Sequence, residues 1–317
     1  MKKLVVSVAS IMKIGLIIAI ILYQKPTTIT QLHPDQTIDE QENQESLNDA
    51  EKPKTELLQP IHIDDPITYS LQNDELNITF DKGSNWITVP VEKDQLFDGE
   101  YNGNKRELIE VSYVLTQNRA AFLYSDGMDW DNKRILLTYS LDQGKTWKES
   151  VVTKPFPAMR FRKVDFLNDK FGYVIISGGR TMSQEFSTVF LTHDGGESWE
   201  ETTNSGVTRL ISDGGFIDET TGFLSFGTIN PEEPDLYVTQ DAGNTWTEAK
   251  VNIPAEYKEI FVQAEVPVKE GGYLAVLINQ GPNGDYKGGK VKGKFISKDN
   301  GKTWEFQVEV NPNETEG

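Results

Sequence analysis

Cysteine is absent from all 317 residues. That excludes disulfide staples, thiolate zinc sites, a cysteine nucleophile and a lipidated-cysteine anchor. Histidine is almost as scarce. His33, His62 and His193 stand far apart in sequence, so a histidine-based metal site or a Ser-His-Asp triad lacks its parts. Positive charge is short too: 31 Lys and Arg face 49 Asp and Glu, a formal net charge of -18. Phosphate binding relies on clustered Lys and Arg, so no nucleic-acid partner is expected. No cofactor and no metal are expected either.

A long hydrophobic run occurs once. Lys2 and Lys3 precede an apolar stretch from Leu4 to Tyr23, interrupted by Lys13. Two readings of residues 1–23 stand side by side. Ile14 to Tyr23 can be the h-region of a cleaved signal peptide, although no small-x-small site follows it. Alternatively the whole stretch is an uncleaved signal anchor of about bilayer-spanning length, with Lys13 snorkelling. The basic N-terminus puts that end in the cytoplasm and the rest outside. The expected localisation is therefore the cell membrane, single-pass with an extracellular body, or secretion if the segment is cleaved. Residues 24–60 lack enough apolar surface to offset chain entropy and read as a disordered acidic stalk. Residues 61–317 form the body.

What the body does have is a repeat. The pattern Ser/Thr-x-Asp-x-Gly-x-Thr/Ser-Trp occurs with Asp142 and Trp147, Asp194 and Trp199, Asp241 and Trp246, and Asp299 and Trp304. A weaker copy carries Asp81 and Trp86. Successive Asp residues are 61, 52, 47 and 58 apart, a period that suits one four-stranded propeller blade. The pattern is turn chemistry. Asp accepts following backbone amides, Gly supplies positive φ, the hydroxyl adds a local bond, and Trp buries surface against a neighbour. Strand-like runs precede the four strong copies, so each copy joins the third and fourth strands of a blade. Phe166–Tyr173 and Phe216–Phe223 align with one another as strand, turn, strand.

These residues resemble the Asp-box (bacterial neuraminidase repeat) propeller superfamily over roughly residues 64–310, and look most like photosystem II assembly-factor-type and sortilin-type propellers. The resemblance implies an all-β propeller of about five four-stranded blades, six being compatible. It also implies that the box turns lie opposite the functional face. The superfamily holds sialidases, other glycosidases, sorting receptors and assembly factors, so it leaves activity open.

Candidate residues therefore belong to the other face. The loop Asp126–Arg134 carries Trp130, the one Trp outside a box, flanked by Asp129 and Asp131. It is a sugar-stacking platform, a protein anchor or a Trp folded onto its own blade. Starts of first strands are expected to place Glu107, Glu110, Arg160, Arg162, Arg209, Asp213, Lys258 and Glu259 around a central channel. Arg180 and Arg134 lie in or beside strand two-to-three loops, and Tyr286 sits in the Gly-rich loop 279–289. The arginines are either carboxylate clamps or members of solvated ion pairs. Sialidases of the resembled family hold a carboxylate with three arginines, but their Arg-Ile-Pro signature is missing and no arginine follows Arg209. The expectation is a non-catalytic cell-surface module that binds a protein or glycan partner at the cell envelope. The alternatives are a sialidase-like exo-glycosidase and a structural spacer.

Overall fold

The computed structural model describes residues 57–182, 184–227 and 231–311. The expected membrane segment, residues 1–23, and nearly all of the expected stalk, 24–60, lie outside them. Among the described residues no helix is long and apolar enough to cross a membrane.

Five successive sheets make up the body. The first has three strands, β1 (Thr68–Ser70), β2 (Glu75–Thr79) and β3 (Ile87–Glu92). A one-turn helix, α1 (Lys93–Leu96), follows. Three four-stranded antiparallel sheets come next. They are β4 (Tyr113–Leu115) to β7 (Lys148–Phe156) through β5 (Ala120–Asp126) and β6 (Lys133–Ser140); β8 (Met159–Phe166), β9 (Gly172–Thr181), β10 (Gln184–Thr192) and β11 (Glu200–Glu201); and β12 (Leu210–Phe216), β13 (Gly222–Gly227), β14 (Asp235–Thr239) and β15 (Thr247–Glu248). The last sheet joins β16 (Lys250–Asn252), β17 (Gln263–Ala264), β18 (Val268–Glu270), β19 (Tyr273–Asn279), β20 (Lys292–Ser297) and β21 (Thr303–Val310). This is the expected propeller of five blades. Among the described residues the first blade has three strands, and the box in it joins β2 to β3.

Strand chemistry explains why the sheets stack. Side chains alternate faces along a strand, and the central strands are buried on both faces over most of their length. On β5, Phe122 and Tyr124 pack toward the first sheet while Ala121 and Leu123 pack toward the third. On β9, Val174 and Ile176 join the core shared with the second sheet, and Tyr173 and Ile175 the core shared with the fourth. Four apolar cores result, one between each pair of neighbouring sheets. Burial at about 25 cal/mol per Å² of apolar surface makes these the main cohesive term.

The box turns repeat one bonding scheme. In the second blade the Ser140 hydroxyl donates to Asp142 at 2.8 Å and accepts the Gly144 amide at 2.8 Å. Asp142 also accepts the Thr146 amide at 2.9 Å and its hydroxyl at 2.7 Å. The same four bonds recur at Asp194, Asp241 and Asp299. At Asp81 the Asn85 amide replaces the hydroxyl. These donors, the Thr146 hydroxyl first, hold the Asp142 carboxyl down at about 2.

Each of the last four boxes also leans on the preceding blade. Trp199 donates its indole N–H to Ser150 on β7, and Trp246 to the carbonyl of Thr203. Trp304 packs edge-on to Phe223. A Cβ on Gly301 would sit 2.4 Å from the Phe223 ring, and one on Gly243 2.7 Å from Thr202. Here glycine serves close approach as well as positive φ. Trp86, Trp147, Trp199 and Trp246 remain half-buried, whereas Trp304 is 0% exposed. The cause is β16, which leaves the fourth sheet and pairs parallel with β21, setting Val251 in register with Trp304.

Candidate functional site

Strand two-to-three loops and sheet-to-sheet connections share the face opposite the boxes. At its centre the connection 97–112 and strands β8, β12 and β17 enclose a cavity of about 750 Å³. Glu110, Arg160, Arg162 and Arg180 line it; Trp130, Arg134, Arg209 and Tyr286 do not. Two positions differ from expectation. Glu107 and Glu110 lie in the connection before β4, and Lys258 and Glu259 precede β17. They are not on first strands, because both connections wander across the face before pairing begins.

Arg162 is 2% exposed and points under the connection. It donates to the carbonyls of Leu96 at 3.2 Å, Asp98 at 2.8 Å and Tyr101 at 3.0 Å. Burial pushes its guanidinium down to about 10, partly offset by the Asp98 carboxylate. Gly99 makes room: its φ is +147°, and a Cβ there would lie 2.4 Å from the guanidinium. Arg162 thus holds the cavity wall in place and does not present its charge to a ligand.

The other arginines each meet a carboxylate of the chain itself. Arg160 forks onto Glu185 and also donates to the Ile211 carbonyl at 2.6 Å. The Glu185 side chain is fully buried and accepts the Ile211 amide as well. Arg180 pairs with Glu100 at 2.5 Å. Arg209 forks onto Asp235 and reaches the Tyr237 hydroxyl, and the Asp235 bond holds its guanidinium above the usual range. Arg134 forks onto Asp126. On the cavity wall Lys163 meets Asp213 at 2.7 Å. Tyr286 donates to Glu309 at 2.8 Å and lies edge-on to Tyr257 and Phe261.

Trp130 differs from all of these. It is 55% exposed, on a loop fixed by its backbone. The Asp129 carboxylate accepts the Asp131 amide at 3.1 Å, and the Trp130 carbonyl accepts the Ala158 amide at 2.8 Å. Among the described residues Asp129 and Asp131 meet no cation: Arg134 is held by Asp126, and Lys133 by Asp98 and the Gly127 carbonyl.

Sequence reasoning missed Arg119, buried in the β4–β5 turn, where it donates to the carbonyls of Gly195 and Asp169 and covers the Phe166 ring at 3.7 Å. It missed Asp98 and Gln280 too. Gln280 donates to the carbonyls of Tyr286 and Val291. Nothing in a single sequence marks the three, since the fold alone brings their partners to them. Among the described residues no group of three or more metal-ligating side chains occurs.

The family model described as a DUF6242 beta propeller domain matches residues 20–270. A BNR/Asp-box repeat model matches residues 295–306, around the last box. No curated protein matches the chain. Among solved structures, a protein of unknown function from Dyadobacter fermentans is similar at 15% identity, over 62% of this chain and 66% of its own, with a TM-score of 0.41. The GH74 xyloglucanase from Xanthomonas campestris is similar at 14% identity over 76% and 36%, TM-score 0.41. The Trypanosoma rangeli sialidase in complex with sialic acid is similar at 13% identity over 68% and 41%, TM-score 0.40. The chain spans less than two thirds of the length of each of the three.

Proposed function

We propose, for a chain that belongs to the DUF6242 beta propeller domain family, the role of a non-catalytic binding module that recognises a protein or glycan at the cell envelope. The face opposite the Asp boxes does the recognising. One observation carries this reading: the arginines a carboxylate-bearing substrate would need are already occupied. Arg160, Arg180 and Arg209 each face a carboxylate of the chain, and Arg162 is spent on three carbonyls. Freeing Arg160 would strand the buried Glu185, a loss of about 3–5 kcal/mol that substrate binding would have to offset. The same pairs leave exposed side chains such as Trp130 as the available contacts. Lys2, Lys3 and the apolar run to Tyr23 support tethering of the body on the outer side of a membrane.

The test is turnover by the full chain of a fluorogenic glycoside panel that includes sialosides. No release at high protein concentration is expected. Release that disappears when Arg160→Ala and Arg209→Ala are combined would establish a sialidase-type enzyme instead.

A further inference from the structure

The edge of the face formed by the second and third blades carries apolar side chains that nothing among the described residues covers. Met128 and Trp130 project from the β5–β6 loop, and Met182 from the β9–β10 turn. Met128 and Met182 are essentially fully exposed, and Phe186 is partly so. These positions share one edge. The Trp130 carbonyl accepts the Ala158 amide between the blades, and Phe156 at the end of β7 meets the Phe186 ring at 5.6 Å. Exposed Met beside Trp is a surface that adapts to varied apolar side chains.

Beside Trp130 the charges left without an ion pair are carboxylates. Asp129 and Asp131 flank Trp130 and have no ion-pair partner among the described residues, because Lys133 and Arg134 are bound to Asp98 and Asp126. Exposed Glu107 and Glu110 line the neighbouring cavity, also without an ion pair. An aromatic face between two carboxylates attracts a cation twice, through the ring quadrupole and through direct charge. A saccharide could bond to the Asp129 and Asp131 carboxylates but would leave the apolar surface of Met128, Met182 and Phe186 unmatched. An acidic ligand would meet like charge.

We infer that this edge docks a basic amphipathic peptide segment of a protein partner. A Lys or Arg of the partner lies over the Trp130 ring between Asp129 and Asp131, and its apolar residues lie on Met128, Met182 and Phe186. The inference rests on the binding-module reading and gives it a partner chemistry.

The experiment titrates the full chain with three probes: a labelled peptide alternating Arg and Leu, a peptide of equal length alternating Glu and Leu, and a neutral xylo-oligosaccharide. The Arg-Leu peptide binds, and added salt weakens it. Trp130→Ala lowers its affinity about tenfold, and Asp129→Asn with Asp131→Asn lowers it severalfold. Trp130→Phe retains part of the affinity, which separates ring recognition from misfolding. If Trp130→Ala shifts the melting temperature, the Asn pair, which removes no packed side chain, decides. Equal affinity in parent and variants, or preference for the Glu-Leu peptide, overturns the inference. Binding of the oligosaccharide alone, lost in Trp130→Ala, overturns the cationic partner but leaves a binding module. Glycoside turnover overturns the binding-module reading itself.

Discussion

The two faces of this propeller are built by different rules. On the box face five turns repeat nearly the same bonds within eight residues of chain, and Trp147, Trp199, Trp246 and Trp304 lean on the blade before them. On the opposite face no two loops are alike, and their fixed points are long-range. Arg162 reaches carbonyls 61 to 66 residues earlier, and Arg160 and Arg209 find carboxylates 25 and 26 residues later. Repetition follows from a task that is the same in every blade, closing a turn and sealing an interface. Variety follows where blades need not match. The contrast places rigidity on the first face and leaves the second free to vary.

The largest expected effect separates two tryptophans. Trp304→Ala removes a fully buried indole and should cost about 3–5 kcal/mol in denaturant unfolding. Trp130→Ala, on the other face, should stay within about 0.5 kcal/mol. Similar losses at both sites would dissolve the distinction between the faces.

A smaller effect distinguishes two kinds of glycine. Gly301→Ala forces a Cβ to within 2.4 Å of Phe223 at a φ of +88°, and about 2–4 kcal/mol of destabilisation is expected from crowding plus backbone strain. Gly206 has a φ of +76° and nothing within 4 Å of its would-be Cβ. Gly206→Ala should therefore cost only about 1 kcal/mol. Equal melting-temperature shifts would show that close approach between blades contributes little.

The subtlest effect is acid sensitivity. Asp142 is held at about 2 against 3.8 for a free side chain, by the Thr146 hydroxyl and amide first. A carboxyl depressed on folding contributes stability that is present above its unfolded value and lost as pH falls through its folded value. Stability should then decline between about pH 4 and pH 2. Asp142→Asn should flatten part of that slope. An unchanged slope in the variant would mean that other groups govern acid unfolding.

How much was legible in the sequence follows from the same split. The box chemistry is local, so Asp142, Gly144, Thr146 and Trp147 could be read from their spacing alone, and the blades followed from the period. A count of about five blades was readable for the same reason. Trp130 stood out as the Trp that no box claims. The arginines did not yield to such reading. Arg160 and Arg162 lie two residues apart on β8, yet one meets a buried carboxylate and the other three carbonyls of an earlier connection. Which partner each finds depends on how segments dozens of residues away are folded over them, and no residue pattern encodes that. Arg119 and Gln280 were invisible on the same grounds. The parallel pairing of β16 with β21 likewise has no local signature.

The central strands carry one more consequence. Phe122 and Leu123 are neighbours in sequence but belong to two different cores, and so do Val174 and Ile175. A strand walled in on both sides has no idle position, so mutation there disturbs one interface or the other. Tolerated change is displaced to the segments that no second blade covers. Over evolutionary time such a chain can remodel its outer loops while its frame stays still, because the residues free to drift are the ones that meet the outside.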